Sequence, residues 1–162
     1  LLRAWKRVNH QGRKLVIAGD GPEADALKAL SLSLQLNNVE FAGFLDQGRQ
    51  RTVWGQTAFS VIPSVWSEPF PLTFLESWSQ GRTFIANHLG AMAEVVRNGQ
   101  DGLLSKPFAE ESLADLIQFL INTPDACTSM GHAGHQRILK EFQRSSWLEK
   151  INDVFQKVLP LS

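Results

Sequence analysis

Short apolar runs alternate with longer stretches of helical periodicity, and this alternation constrains the 162-residue chain more than any other feature. The runs are Lys14–Ala18, Val39–Ala42, Phe59–Ile62, Thr83–Ala86 and Gly102–Leu104. Helical patterns occupy Leu1–Val8, Glu23–Leu34, Gln47–Gln56, Leu72–Gln80, Ala91–Arg97, Glu111–Ile121, Thr128–Phe142 and Trp147–Val158. Short strands separated by helices predict βα units and a parallel sheet. Several runs are apolar throughout, as burial on both faces of a sheet requires. The expectation is one α/β domain over residues 1–162, Rossmann-like, with helices on both faces of a parallel sheet. Open sheets of this kind bind ligands outside the carboxyl ends of their strands.

Composition narrows the function classes. Hydrophobic residues make up 43% and charged residues 20%, enough to bury a core. Lys+Arg and Asp+Glu number 16 each, so no net basic field argues for nucleic acid. Cys127 is the single cysteine, which excludes an internal disulfide or a zinc knuckle and fits a reducing compartment. The apolar runs are far too short to span a bilayer. The chain opens on L-L-R-A-W-K-R-V without an initiator Met, and Leu1, Leu2, Trp5 and Val8 share one helical face. It reads as a piece of a longer protein that starts inside or just before a helix.

The strand-to-helix loops are therefore the candidate ligand sites. The first, A-G-D-G-P-E-A, places Gly19, Gly21 and Ala24 in a G-x-G-x-x-A pattern, with Glu40 about twenty residues on. Read literally it is a dinucleotide fingerprint, so an NAD-type binding domain is one reading. Glu40, however, falls inside its run, and Pro22 removes an N–H from the turn. A plain βα turn with Pro at the first helical position is the other reading. The second loop, Gly43-Phe44-Leu45, can wall a base or cap the core, and the core reading is favoured. In the fourth, A-N-H-L-G-A-M-A-E-V-V, His88 has no Ser, Cys or acid placed to form a triad. His132 and His135 share a helical face but lack a third ligand, so no metal site is expected.

The third loop and its helix, S-E-P-F-P-L-T-F-L-E-S-W-S-Q-G, hold Glu68 and Glu76. Pro69 pushes Glu68 to an extended conformation, Pro71 suits the first helical position, and Gly81 suits the stop. The periodicity places Leu72, Leu75 and Ser79 on one face, with Glu76 near that stripe. The amides of Leu72 and Thr73 are free at the helix start. Two carboxylates and open amides suit a ligand rich in phosphates and hydroxyls, such as a nucleotide sugar. The alternative is that Glu68 is solvated and Glu76 pairs with a Lys or Arg.

K-L-V-I-A-G-D-G-P, V-E-F-A-G-F-L, V-I-P-S-V-W-S-E-P-F-P-L-T-F-L-E-S-W-S-Q-G and I-A-N-H-L-G-A-M-A-E-V-V-R-N-G-Q-D-G-L-L together resemble the C-terminal half of glycosyltransferase family 4, of GT-B fold. The resemblance runs from about residue 1 to about residue 158, and the acid pair matches the family's E-x7-E signature. It implies a retaining hexosyltransferase whose C-terminal domain binds a UDP-, GDP- or ADP-sugar. The acceptor would bind an N-terminal domain absent from this chain. Neither metal nor cofactor would be needed. Glu68 would be the catalytic-site carboxylate touching donor-sugar hydroxyls, and Glu76 would accept hydrogen bonds from the ribose. Phe70, Pro71, Leu72 and Thr73 would hold sugar hydroxyls and diphosphate. Gly43, Phe44 and Leu45 would flank the base, and Gly19 and Gly21 would line the cleft.

The resemblance also implies a cytoplasmic enzyme, at the inner membrane face if the missing half associates peripherally there. Three positions depart from the family pattern. Pro71 stands for a glycine and removes an amide donor. Gly90-Ala91 stands for Gly-Gly. The family's phosphate-binding Arg and Lys would lie upstream of Leu1. Each such charge-assisted contact is worth roughly 1.5–3 kcal/mol, so the isolated piece should bind donor weakly and not turn over. An epimerase or a non-catalytic relative on the same fold are the remaining alternatives.

Overall fold

A computed structural model describes residues 1–159 and contains five parallel strands and eight helices. In chain order they are α1 (Leu2–Lys6), β1 (Leu15–Ala18), α2 (Ala24–Ser33), β2 (Val39–Gly43), α3 (Gln47–Gln56), β3 (Phe59–Ile62) and α4 (Leu72–Ser79). There follow β4 (Thr83–Asn87), α5 (Gly90–Val95), β5 (Leu103–Ser105), α6 (Glu110–Asn122), α7 (Pro124–Glu141) and α8 (Arg144–Val158). Every expected element is present. The largest shift is in α7, which starts at Pro124 with Pro in its first turn, where the missing N–H costs nothing.

All pairings are parallel, as the βα pattern predicts, but hydrogen bonding divides the strands into two sheets, β1-β2 and β3-β4-β5. β1 pairs with β2 from Leu15–Val39 to Ala18–Gly43, with an irregularity between Ile17 and Ala18. β4 is the central strand of the second sheet, with Phe59 opposite Thr83 and Ile85 opposite Leu103. The sheets share a core nonetheless. Leu15, Ile17, Val39, Phe41, Phe59 and Val61 pack on one cluster containing Ile85, Leu103, Leu2, Trp5, Ile117 and Leu120.

The other face of the three-stranded sheet carries a second cluster of Ile62, Phe74, Trp78, Phe84, Ala86, Met92 and Val96. Alternation along β4 explains the division. Ile85 points into the first core, and Phe84 and Ala86 point into the second. Helices therefore cover both faces, α1 and α6 on one and α4 and α5 on the other. Two-sided burial holds fully only for β4, where all five residues are buried; in β1 three residues are half-buried and Ala18 is exposed. α3 and α8 bury no residue.

α7 joins the two cores and clamps α4. Met130 and Cys127 enter the first cluster, while Ile138 and the following Phe142 pack on the second. Its close approach depends on two glycines. A Cβ built on Gly131 would lie 2.2 Å from the Gly81 carbonyl oxygen, and one on Gly134 would lie 2.0 Å from Trp78 Cδ1. Arg137, one turn on, donates from Nη1 to Asp101 Oδ2 at 2.8 Å and to the Val95 carbonyl at 2.8 Å. Its guanidinium stands over the Trp78 ring at 5.1 Å. Asp101, 1% exposed, also accepts the Arg97 amide on Oδ1 and the Trp78 indole N–H on its carbonyl.

Two stability predictions follow from this clamp. Gly134→Ala forces a methyl into the Trp78 ring and should cost about 1–3 kcal/mol, read as a lower denaturation midpoint. Arg137→Met strands the buried Asp101 carboxylate and should cost about 3–5 kcal/mol, more than the exposed-pair variant Lys28→Met; equal midpoints for those two would refute the clamp.

Candidate functional site

Two clusters form at the carboxyl ends of the strands, one on each sheet. On the smaller sheet the chain leaves β1 through Gly19 (φ +114°) and leaves β2 at Gly43 (φ +63°). Only glycine adopts either conformation readily. The Gly19 amide donates to the Gly43 carbonyl at 2.8 Å, which ties the first two loops together. Gly21 is held by its neighbour, its amide donating to Asp20 Oδ1 at 2.8 Å. No side chain caps α2.

Past Gly43 the two apolar residues separate. Leu45 is buried at 7% and Phe44 stands 78% exposed. The core reading therefore holds for Leu45 and fails for Phe44, because only alternate side chains at a strand end can point inward. Glu40 is the second residue of β2, opposite Val16. It is ion-paired to Lys14 at 2.7 Å, and that hydrogen bond holds its carboxyl below the ordinary range. A carboxylate so engaged near the start of the strand is not at its carboxyl end, where a dinucleotide ribose would need it.

On the larger sheet, Ser64, Trp66, Glu68, Pro71 and Asn87 line a small cavity of about 10 Å³ with buried Ile62 and Met92. Glu68 is held in several ways. Ser64 Oγ donates to Glu68 Oε1. The Ala91 amide donates to the Glu68 carbonyl at 3.1 Å. Gly90 (φ +52°) leaves no room beside it, since a Cβ there would lie 2.6 Å from the Glu68 carbonyl oxygen. Glu68 forms no ion pair among the described residues, so it is neither freely solvated nor neutralised.

α4 corrects the expected helix phase. Its buried face is Phe74, Ser77 and Trp78, with half-buried Leu75 packed on the same cluster, whereas Leu72 and Ser79 of the expected stripe are exposed. Leu72 is 65% exposed, and Thr73 and Glu76 are exposed too. At 100° per residue Glu76 lies about 200° from both Phe74 and Trp78, which turns it to solvent. No Lys or Arg pairs with it among the described residues. Pro71 is the residue before the helix, not its first residue: it is buried, with φ −71° and ψ 122°. No side chain caps α4, so the amides of its first turn stay open as expected. Phe70 is 42% exposed and stacks edge-on against Phe74 at 5.1 Å.

Ser64, Asn87 and Trp66 also line this site, although no motif or period in the sequence marks them as a set. Trp66 is 62% exposed beside Glu68, and Asn87 is a polar residue closing a strand otherwise buried and mostly apolar. That exception was the available signal. Of the histidines, His88 is exposed. His135 lies beside the Trp78 carbonyl, its Nδ1 at 3.0 Å, and with His132 it lines an open depression near Gly81. Among the described residues no three His, Cys, Asp or Glu side chains cluster as a metal site, and no helix is long and apolar enough to cross a membrane.

A family model described as "Glycosyl transferases group 1" matches residues 1–137. The exopolysaccharide phosphotransferase SCO2592 of Streptomyces coelicolor is 31% identical over 154 residues, which cover 92% of this chain and 16% of that protein. A glycogen synthase of Mycobacterium tuberculosis is 30% identical over 137 residues, covering 84% and 33%. The chain thus spans well under half the length of these relatives. Among solved structures, a glycosyltransferase from Rickettsia africae superposes with TM-score 0.88 at 21% identity, over 100% of this chain and 44% of that one. The Anabaena protein Alr3699/HepE, solved in complex with UDP, superposes with TM-score 0.85 at 23% identity, over 97% and 44%. A further structure of it holds UDP-glucose. At these identities the superpositions establish the α/β fold.

The close approach at Gly90 yields a prediction. Gly90→Ala must displace the Glu68 backbone and adopt a positive φ, and should destabilise by about 1–3 kcal/mol. Gly55→Ala, where a Cβ meets nothing inside an exposed helix, should stabilise or leave the denaturation midpoint unchanged.

Proposed function

The chain belongs to the glycosyl transferases group 1 family, and on that premise we propose that it is the donor-binding, C-terminal half of a retaining, family 4, GT-B enzyme. It takes a UDP-, GDP- or ADP-sugar and, with an N-terminal acceptor domain, transfers a hexosyl group. The observation that carries this reading is the arrangement around Glu68. A loop carboxylate that no cation pairs with among the described residues is held at the mouth of β3 and β4, next to the uncapped start of a helix that carries the exposed Glu76.

The roles divide by charge. The open amides of Leu72 and Thr73 favour the anionic diphosphate, aided by the positive end of the helix dipole. Phe70 and Pro71 shape the approach to those amides. Glu68 accepts from sugar hydroxyls at the reacting centre, and Glu76 accepts from the ribose. Gly43 and exposed Phe44 offer backbone and an aromatic face to the base, with Leu45 supporting them from the core. Gly19 and Gly21 keep the neighbouring loop low. No metal takes part in this scheme, and the enzyme works in the cytoplasm, at the inner membrane face if its acceptor half binds there. The ion pair of Glu40 with Lys14 tells against the NAD-type alternative.

The test uses the full-length protein. Glu68→Gln and Glu76→Gln should each lower transfer by about tenfold or more, the size of one charge-assisted hydrogen bond, with unchanged melting temperatures. Near-parental turnover of both variants would end the reading. Saturable binding of NAD with no response to UDP-, GDP- or ADP-glucose would favour the dinucleotide alternative. Product analysis separates transfer from epimerisation.

A further inference from the structure

We propose that Ser64 is a positioning residue for Glu68, and that Asn87 and Ser105 hold Ser64 so that Glu68 presents its second oxygen to a neutral hydroxyl. The inference rests on the reading of Glu68 as a donor-sugar contact. It adds the residues that make that contact directional and the kind of group the contact selects.

The chain of bonds begins in the core. Ser105, 0% exposed at the end of β5, donates to Asn87 Oδ1 at 2.7 Å. The Ala86 carbonyl is farther, at 3.3 Å, and a hydroxyl has one proton, so Asn87 takes it. That fixes the Asn87 amide. Its oxygen faces Ser105 and its nitrogen donates to the Ser64 carbonyl at 2.8 Å. Reversing the amide would set oxygen against the carbonyl oxygen. Asn87 is 9% exposed, and a buried amide with both ends satisfied is costly to turn. The backbone of Ser64 is thereby anchored to β4, although it lies in a loop. Its hydroxyl then donates to Glu68 Oε1.

Glu68 is constrained at its backbone as well, by the Ala91 amide and by the contact with Gly90. One carboxylate oxygen is taken by a neutral donor. Oε2 has no hydrogen-bond partner among the described residues. The negative charge is not cancelled by any ion pair among the described residues, so an anionic group meeting Oε2 would be repelled and a neutral hydroxyl attracted. The site therefore selects a sugar hydroxyl at this point and leaves the phosphates to α4.

The experiment measures, in the full-length protein, the affinities of UDP-, GDP- and ADP-glucose and of UDP, GDP and ADP alone. The readout is the ratio of nucleotide-sugar to bare-nucleotide affinity for the preferred base. Ser64→Ala should cut this ratio by about tenfold while the bare nucleotide binds within about twofold of the parent value, and Ser64→Thr, which keeps the hydroxyl, should restore it. Glu68→Gln should cut the ratio similarly, and the double variant should lose no more than Glu68→Gln alone, as coupled residues do. An unchanged ratio in Ser64→Ala, or additive losses in the double variant, overturns the positioning role and leaves the reading of Glu68 intact. An unchanged ratio in Glu68→Gln overturns that reading and this inference with it. If Ser64→Ala does not fold, Ser105→Ala decides. It frees the Asn87 amide without touching the loop, so a lowered ratio supports the proposal and an unchanged one overturns it.

Discussion

The rest of the structure depends on the burial of β4 on both of its faces. Each of its five residues is buried, and successive side chains must serve opposite cores. Ile85 goes to the cluster under α1 and α6, and Phe84 and Ala86 go to the cluster under α4 and α5. A strand in that position tolerates polar groups only at its ends and only when they are satisfied. Thr83 and Asn87 are those ends. Asn87 uses its two amide groups on the strands either side, accepting from Ser105 at the end of β5 and donating to Ser64 after β3. The polar end of a buried strand thus becomes the anchor of the loop that carries Glu68.

The chemistry offered by α4 depends in turn on what lies behind it. Trp78 is 0% exposed, its indole N–H is bound to the Asp101 carbonyl, and its ring is covered by Arg137. Gly134 lets α7 approach that ring. These contacts set the rotation of α4 about its axis, and the rotation decides that Glu76 and Thr73 face solvent. The Arg137–Asp101 pair is not at the candidate site, yet the packing it belongs to sets the face on which α4 carries its one carboxylate, Glu76.

Much of this was legible from the residues. The element order followed from apolar runs and helical periods, and the loops that matter were found because glycines, prolines and acids cluster after the strands. The resemblance to glycosyltransferases agrees with the family match over residues 1–137. The phase of α4 was not legible, because Leu72 looks like a core residue while the buried face uses Ser77, whose hydroxyl is satisfied by the Thr73 carbonyl and Ser60. Phe44 was assigned to the core on its hydrophobicity, but an exposed aromatic residue beside a turn has the same composition as a buried one. The division into two sheets was also not legible, since strand identity carries no record of which neighbour is absent.

The amino-acid sequence by itself determined the α/β order of elements, the positions of Glu68 and Glu76 around a helix start, and the turn glycines. All of these are local, because propensity, periodicity and φ preference act over a few residues. Only the tertiary structure decided that Glu68 is clamped and Glu76 free. The bonds behind the clamp on Glu68 join Asn87 to Ser64 and Ser105 to Asn87 across 23 and 18 residues of chain. Hydrogen bonds between residues so far apart leave no periodic trace, and they form only when packing on β4 has brought three strand ends together.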